Sequence, residues 1–223
     1  MQPNTRRSFL TGSPQTLVAS RLLRYPANTI FEVISDIANY KTFVPYCVGS
    51  HVTKYSNPAK DGKTYPEEAK LVIGFNDQAS DEFCSRVYCV PNTTVEAVSG
   101  ATNTSLPAKE IAHHNQRPPH SDDLSRQASV LSHLATTWTL NPYPYKPPPA
   151  SATQPGQSHK NVQETSEIPG QERTEVRLHL EFQFANPIYS ALSRAAAPKV
   201  AEKMIEAFEK RVQAVVEGRS RVK

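Results

Sequence analysis

The sequence predicts an α+β fold: a curved antiparallel sheet of about six or seven strands wrapped round a long C-terminal helix. Three observations predict it. First, Val176, Leu178, Leu180, Phe182 and Phe184 alternate without exception with Glu175, Arg177, His179, Glu181 and Gln183, the period-2 pattern of a strand with one dry and one wet face. Second, Leu192, Val200, Met204, Ile205, Phe208, Val212, Val215 and Val216 fall at helical spacings within 187–217. Third, four strand-like runs between 48 and 99 are separated only by short turn clusters, so an antiparallel meander is the economical arrangement.

In chain order, Thr16 to Tyr25 carries Val18, Leu22, Leu23 and Tyr25 without breakers and reads as a strand ended by Pro26. Ile30, Val33, Ile34 and Ile37 then recur at i, i+3, i+4 and i+7, an amphipathic helix with Pro26 in its first turn and Glu32 near its N-terminus. Tyr40 to Cys47, aromatic-rich around Pro45, suits a short helical turn packing back on the core. Val48–Tyr55, Glu68–Phe75, Gln78–Val90 and Thr93–Ser99 read as strands, divided by the clusters at 57–62, Asn76-Asp77 and Pro91-Asn92. Leu134, Thr136, Trp138 and Leu140 mark a further strand expected to stop before Asn141-Pro142. Pro198 predicts a kink or break in the terminal helical segment, because it lacks an amide proton and clashes with the preceding turn.

Two segments depart from this regularity. Residues 101–130 lack periodicity and residues 142–172 are rich in Pro, so both are expected to be flexible insertions, the second partly extended. The folded domain is therefore expected over 16–217. Residues 1–15, basic and without acids, read as disordered or a targeting remnant, the alternative being a solvated tail; 218–223 read as a basic tail.

The longest apolar run, Leu71 to Phe75, is far short of the roughly 18 to 20 residues that cross a bilayer as a helix. A net charge of +4 from 25 basic and 21 acidic residues, with no central basic stripe, argues against a nucleic-acid partner. Cys47, Cys84 and Cys89 are odd in number and lack metal-type spacing, so they are expected as small apolar fillers. His113, His114 and His120 cluster, but no carboxylate or Cys stands at ligand spacing in an ordered element, and no metal is predicted. The sequence contains no Ser/His/Asp motif, phosphate loop or dinucleotide fingerprint. Acid–base candidates for an enzyme reading are Asp36, Glu68, Arg86, Glu96 and His179; none forms a paired set by spacing, and His179 falls on a wet face. No catalytic residue is assigned.

A sheet wrapped round a helix leaves a gap, and whether side chains or a ligand fill it decides the function. Arg21 to Tyr25, the stretch Asp36 to Cys47 with its Phe43-Val44-Pro45-Tyr46-Cys47 segment, the strand around Trp138 and the run Glu181 to Arg211 resemble the START-like (polyketide cyclase and lipid-transport) helix-grip superfamily. Within it, they are most similar to the mitochondrial coenzyme Q-binding protein family. Both insertions depart from the compact family pattern.

The resemblance implies a non-enzymatic protein, peripheral to the matrix side of the inner mitochondrial membrane. It would bind coenzyme Q or its polyprenyl intermediates as ligand rather than cofactor, and deliver the quinone to respiratory complexes or the synthesis machinery. The groove would be lined by Ile73, Trp138, Leu178, Leu180, Phe182, Val200, Met204 and Phe208. Phe43, Val44, Pro45 and Tyr46 would border its mouth, gate entry or meet lipid headgroups. For each, the alternative is plain core packing or, for the loop, a structural corner. Alternatives at the level of function are a cyclase/dehydratase-like enzyme and a ribosome- or protein-interaction module.

Overall fold

In a computed structural model, the described residues are 14–76, 79–99, 102–115, 131–143, 172–184 and 197–221. The elements are β1 (Gln15–Leu23), α1 (Ala27–Ser35), a 3-10 turn (Ile37–Thr42), β2 (Cys47–Tyr55), β3 (Pro66–Asn76), β4 (Ala79–Val90), β5 (Thr94–Ser99), β6 (Leu131–Tyr143), β7 (Arg173–Phe184) and α2 (Ala197–Arg221). One seven-stranded antiparallel sheet runs β1-β7-β6-β5-β4-β3-β2. It is a meander from β2 to β7 to which β1 adds as the far edge.

Local chemistry accounts for the helices. In α1 the side chains of Ile30, Phe31, Val33 and Ile34 are buried, and the stripe continues through Ile37 into the 3-10 turn. The Tyr40 hydroxyl donates to the Ile34 carbonyl, tying that turn back to α1. In α2, Ala201, Ile205, Phe208 and Val212 form the buried stripe at i, i+4, i+7 and i+11. Arg21 on β1 reaches Glu202 and Glu209 of α2, 3.5 Å to each, pinning the helix along the edge strand. Pro198 is the second residue of α2, within the first turn, where its missing amide proton costs nothing. The expected break at Pro198 is thus the helix start; 187–196 lie outside the described residues. At its other end α2 continues to Arg221, into the segment read as a basic tail.

Two sequence expectations are corrected. β6 does not stop before Asn141-Pro142 but runs through Tyr143, with Pro142 opposite Thr174 and Tyr143 opposite Arg173. Pairing with β5 reaches only Thr139, so beyond Leu140 the strand is an edge on that side and tolerates a residue without an amide proton.

The insertion expected to be flexible from 101 begins with a folded strap. Over 102–115 the chain lies on the outer face of the sheet: Ile111 is buried with Tyr88 and Val98. The buried Glu96 carboxylate accepts from the Thr104 and Ser105 hydroxyls and the Ser105 amide. The Cys89 amide donates to His114 Nε2 at 2.9 Å, and Asn115 donates to Glu67 from its amide and side chain. Polar composition concealed this order, because its partners are buried carboxylates on distant strands. Residues 116–130 and 144–171, the remainder of the two insertions, lie outside the described residues, as do 1–13.

Candidate functional site

Side-chain alternation assigns the concave face of the sheet. On β7 it carries Thr174, Val176, Leu178, Leu180 and Phe182; on β6, Leu134, Thr136, Trp138 and Leu140; on β5, Val95, Ala97 and Ser99. On β4 and β3 it carries Phe83, Ser85, Val87, Cys89, Ala69, Leu71 and Ile73.

This face has two unlike ends. At one end α1 and α2 close it. Trp138 meets Phe208 with ring centroids 4.5 Å apart, Phe208 also packs edge-on to Tyr40 and Phe43 at 5.2 and 5.0 Å, and Leu178 and Val212 are fully buried. Burial pushes the Cys89 thiol and the Tyr40 hydroxyl upward, so neither ionises in this core.

At the other end, Phe83, Leu134, Leu180 and Phe182 form a separate apolar cluster. The flanking Leu17, Leu71, Ile73 and Met204 stay only partly buried. Between the two ends the floor is made of small residues: Ala69 and Ser85 are buried, whereas Ala97, Ser99 and Thr136 are partly exposed. Those three belong to β5 and β6, in the interior of the sheet and on its concave side, where full helix cover would bury them. The Ser85 and Ser99 hydroxyls lie 2.8 Å apart, and Ser99 donates onward to the Cys84 carbonyl.

The residues anticipated from sequence therefore divide. Trp138, Leu178 and Phe208 belong to the packed core. Leu180 and Phe182 are buried in the second cluster, with Ile73 and Met204 at its margin and Val200 half-buried in the first turns of α2. Phe43, Val44 and Pro45 are half-buried, the first two against the core, while Tyr46 projects with 41% exposure. Sequence reasoning missed the floor residues Ser85, Ala97, Ser99 and Thr136 and the walls Leu17, Leu71, Phe83 and Leu134. Their strand parity was available: Ala97 and Ser99 share a face with Val95, and Ser85 with Val87. The small side chains at those positions were the unused signal.

Of the five acid–base candidates none is on the concave face. Glu96 and Arg86 face the strap, where Arg86 donates to the Thr102 carbonyl. Glu68 and His179 alternate outward beside Ala69 and Leu178, and Asp36 at the end of α1 accepts from Asn39. The expected opposition of Cys84 and Cys89 holds, with Cys89 in the core and Cys84 on the other face. Among the described residues no group of three or more His, Cys, Asp or Glu is arranged to hold a metal, and no helix is long and apolar enough to cross a membrane.

A second concavity lies outside the sheet. A cleft of about 510 Å³ between the Phe43–Tyr46 loop and α2 is lined by Phe43, Pro45, Lys203, Glu206, Ala207, Lys210, Arg211 and Ala214.

Comparison with known proteins agrees with this architecture. The chain is 28% identical over 213 residues to the mitochondrial coenzyme Q-binding protein COQ10 of Eremothecium gossypii, spanning 93% of this chain and 79% of that one. It is 29% identical over 218 residues to the protein of the same name in Saccharomyces cerevisiae, spanning 95% and 80%. A START superfamily protein from Mycobacterium smegmatis superposes with a TM-score of 0.54 at 16% identity, covering 92% of this chain and 99% of its own. Residues 23–209 match the family described as polyketide cyclase / dehydrase and lipid transport. With its antiparallel sheet, its C-terminal helix and this match over most of its length, the chain belongs to that family.

Proposed function

We propose that the end of the concave face away from the Trp138–Phe208 contact holds the polyprenyl tail of coenzyme Q or of a biosynthetic intermediate. The protein then acts as a quinone chaperone, delivering its cargo to respiratory complexes or the synthesis machinery from the matrix side of the inner mitochondrial membrane. The observation that supports this best is the partial exposure of Ala97, Ser99 and Thr136 in mid-sheet, ringed by Leu71, Ile73, Phe83, Leu134, Leu180, Phe182 and Met204. An isoprenoid chain gains about 0.8 kcal/mol per buried methylene, so a dry wall over a floor of small side chains is what carrying one through water requires. The names of the two similar proteins point to the same ligand. A cyclase-like reaction needs an acid or base aimed at substrate, and the five candidates read from sequence lie elsewhere.

The test is extraction of the purified, heterologously expressed protein with organic solvent, followed by mass spectrometry, together with titration of added quinone. Co-purified or stoichiometrically bound long-chain quinone is expected. A protein that arrives empty and ignores added quinone overturns the reading. Leu180→Glu is expected to abolish uptake; if circular dichroism reports unfolding, the milder Met204→Gln at the margin of the cluster takes its place.

A further inference from the structure

The cleft beside α2 has no part in holding a tail inside the sheet, yet its chemistry is selective. On α2 its residues Lys203, Glu206, Ala207, Lys210 and Ala214 recur every three or four positions, a single stripe about 16 Å long at 1.5 Å per residue. The opposite wall is apolar, from Phe43 and Pro45. Charges on α2 are sorted by face. Glu202 and Glu209 turn to Arg21 on β1, and Glu206 pairs with Lys210 at 2.7 Å. Lys203 and Arg211 make no ion pair among the described residues; they lie instead over aromatic rings, Lys203 6.0 Å from the centre of Tyr46 and Arg211 5.7 Å from that of Phe43. The cleft thus holds three basic residues against one acid.

The rim is unusual as well. Tyr46 adopts φ 64°, a left-handed conformation that non-glycine residues rarely take, and its carbonyl accepts from the Gly74 amide at 2.9 Å. The strained backbone holds an aromatic side chain outward, 41% exposed. Such strain persists only where the surroundings enforce it. Cations beside a projecting tyrosine ring match a surface that is anionic outside and apolar just beneath.

We propose that this face, the Phe43–Tyr46 segment with Lys203, Lys210 and Arg211 of α2, docks the protein on anionic phospholipid, a lipid phosphate occupying the cleft while Tyr46 enters the headgroup layer. The proposal names the membrane-facing surface for the chaperone reading above but does not depend on quinone binding, because the vesicles that test it contain no quinone.

The experiment is co-sedimentation of the full chain with vesicles of phosphatidylcholine alone and of an equal mixture of phosphatidylcholine and phosphatidylglycerol. Binding to the mixed vesicles that weakens with added salt is expected. At about fivefold in affinity per basic residue, Lys203→Gln with Arg211→Gln lowers it by about 25-fold. The charge-matched pair Lys60→Gln with Lys63→Gln, in the exposed turn between β2 and β3, leaves binding unchanged. Equal loss in both double variants, equal binding to both vesicle types, or no binding at all overturns the proposal; circular dichroism verifies that each variant is folded. Retained quinone uptake by a protein that ignores vesicles would remove the docking surface and leave the chaperone reading intact.

Discussion

Trp138 of β6 and Phe208 of α2 meet with ring centroids 4.5 Å apart at the end of the concave sheet face that α1 and α2 close, while toward the other end Ala97, Ser99 and Thr136 stay partly exposed. On the sealed side Leu178, Val176 and Val212 have essentially no exposure. On the other side Met204 of α2, half-buried, packs at the margin of the Phe83, Leu134, Leu180 and Phe182 cluster. Phe208→Ala removes a ring that touches Trp138, Tyr40 and Phe43, and is expected to cost about 3–5 kcal/mol. A urea midpoint shift corresponding to less than half of that would mean that the sealed end repacks.

Added volume at Ala97 tests the proposed groove without breaking anything. Ala97→Leu adds volume over a floor position that is only partly covered, so stability should change by less than about 1 kcal/mol, whereas overpacking a tight core costs about 1–3 kcal/mol. Quinone uptake should fall sharply. A large drop in thermal midpoint would show that the floor is already packed.

The strap at 102–115 should come loose when Glu96 is removed. Glu96→Ala leaves the Thr104 and Ser105 donors without their carboxylate, each orphaned group costing about 1–3 kcal/mol. Lys109 is exposed at the outer turn of the strap, so faster tryptic cleavage there is the readout. Unchanged cleavage would locate the anchoring elsewhere, in Ile111 or Asn115. Deleting the strap outright is expected to destabilise the sheet, contrary to what its composition suggests.

Acid should weaken the same strap through His114. Burial, aided by the neighbouring His113, lowers the His114 imidazole to about 4, while Nε2 accepts from the Cys89 amide and Nδ1 has no partner. The unfolded chain takes up the proton near pH 6.5 and the folded chain only near 4. Stability is therefore full above about pH 6.5 and falls as pH drops to about 4, by up to about 3 kcal/mol. His114→Gln, which retains an acceptor for the Cys89 amide, should flatten that slope in urea titrations at about pH 7 and about pH 4.5. An unchanged slope would assign the acid sensitivity to other groups.

Tyr46→Gly separates stability from docking. Glycine relieves a left-handed backbone that costs other residues about 1–2 kcal/mol, so the thermal midpoint should not fall. Vesicle binding should weaken, because the projecting ring is gone. Lower stability with unchanged binding would make Tyr46 a structural corner.

The sequence alone determined which segments are strands and helices, because period-2 and period-3.6 burial is written in consecutive residues: Val176 to Phe182 on one face, and Ile30, Val33, Ile34 and Ile37 on one stripe. It also pointed to an apolar gap between sheet and helix. Tertiary structure alone decided which apolar residues pack into the main core and which stand at its margin. Trp138, Leu178 and Phe208 carry the same apolar signal as Leu180, Phe182 and Met204, yet the first three belong to the main core and the second three to a smaller cluster whose margin stays partly exposed. That difference arises from where α1 and α2 cross the sheet, a matter of distant contacts. The strap was hidden for the same reason: Ser, Thr, His and Asn look soluble in sequence, and become ordered only when Glu67, Glu96 and the Cys89 amide, remote along the chain, supply partners in a buried place.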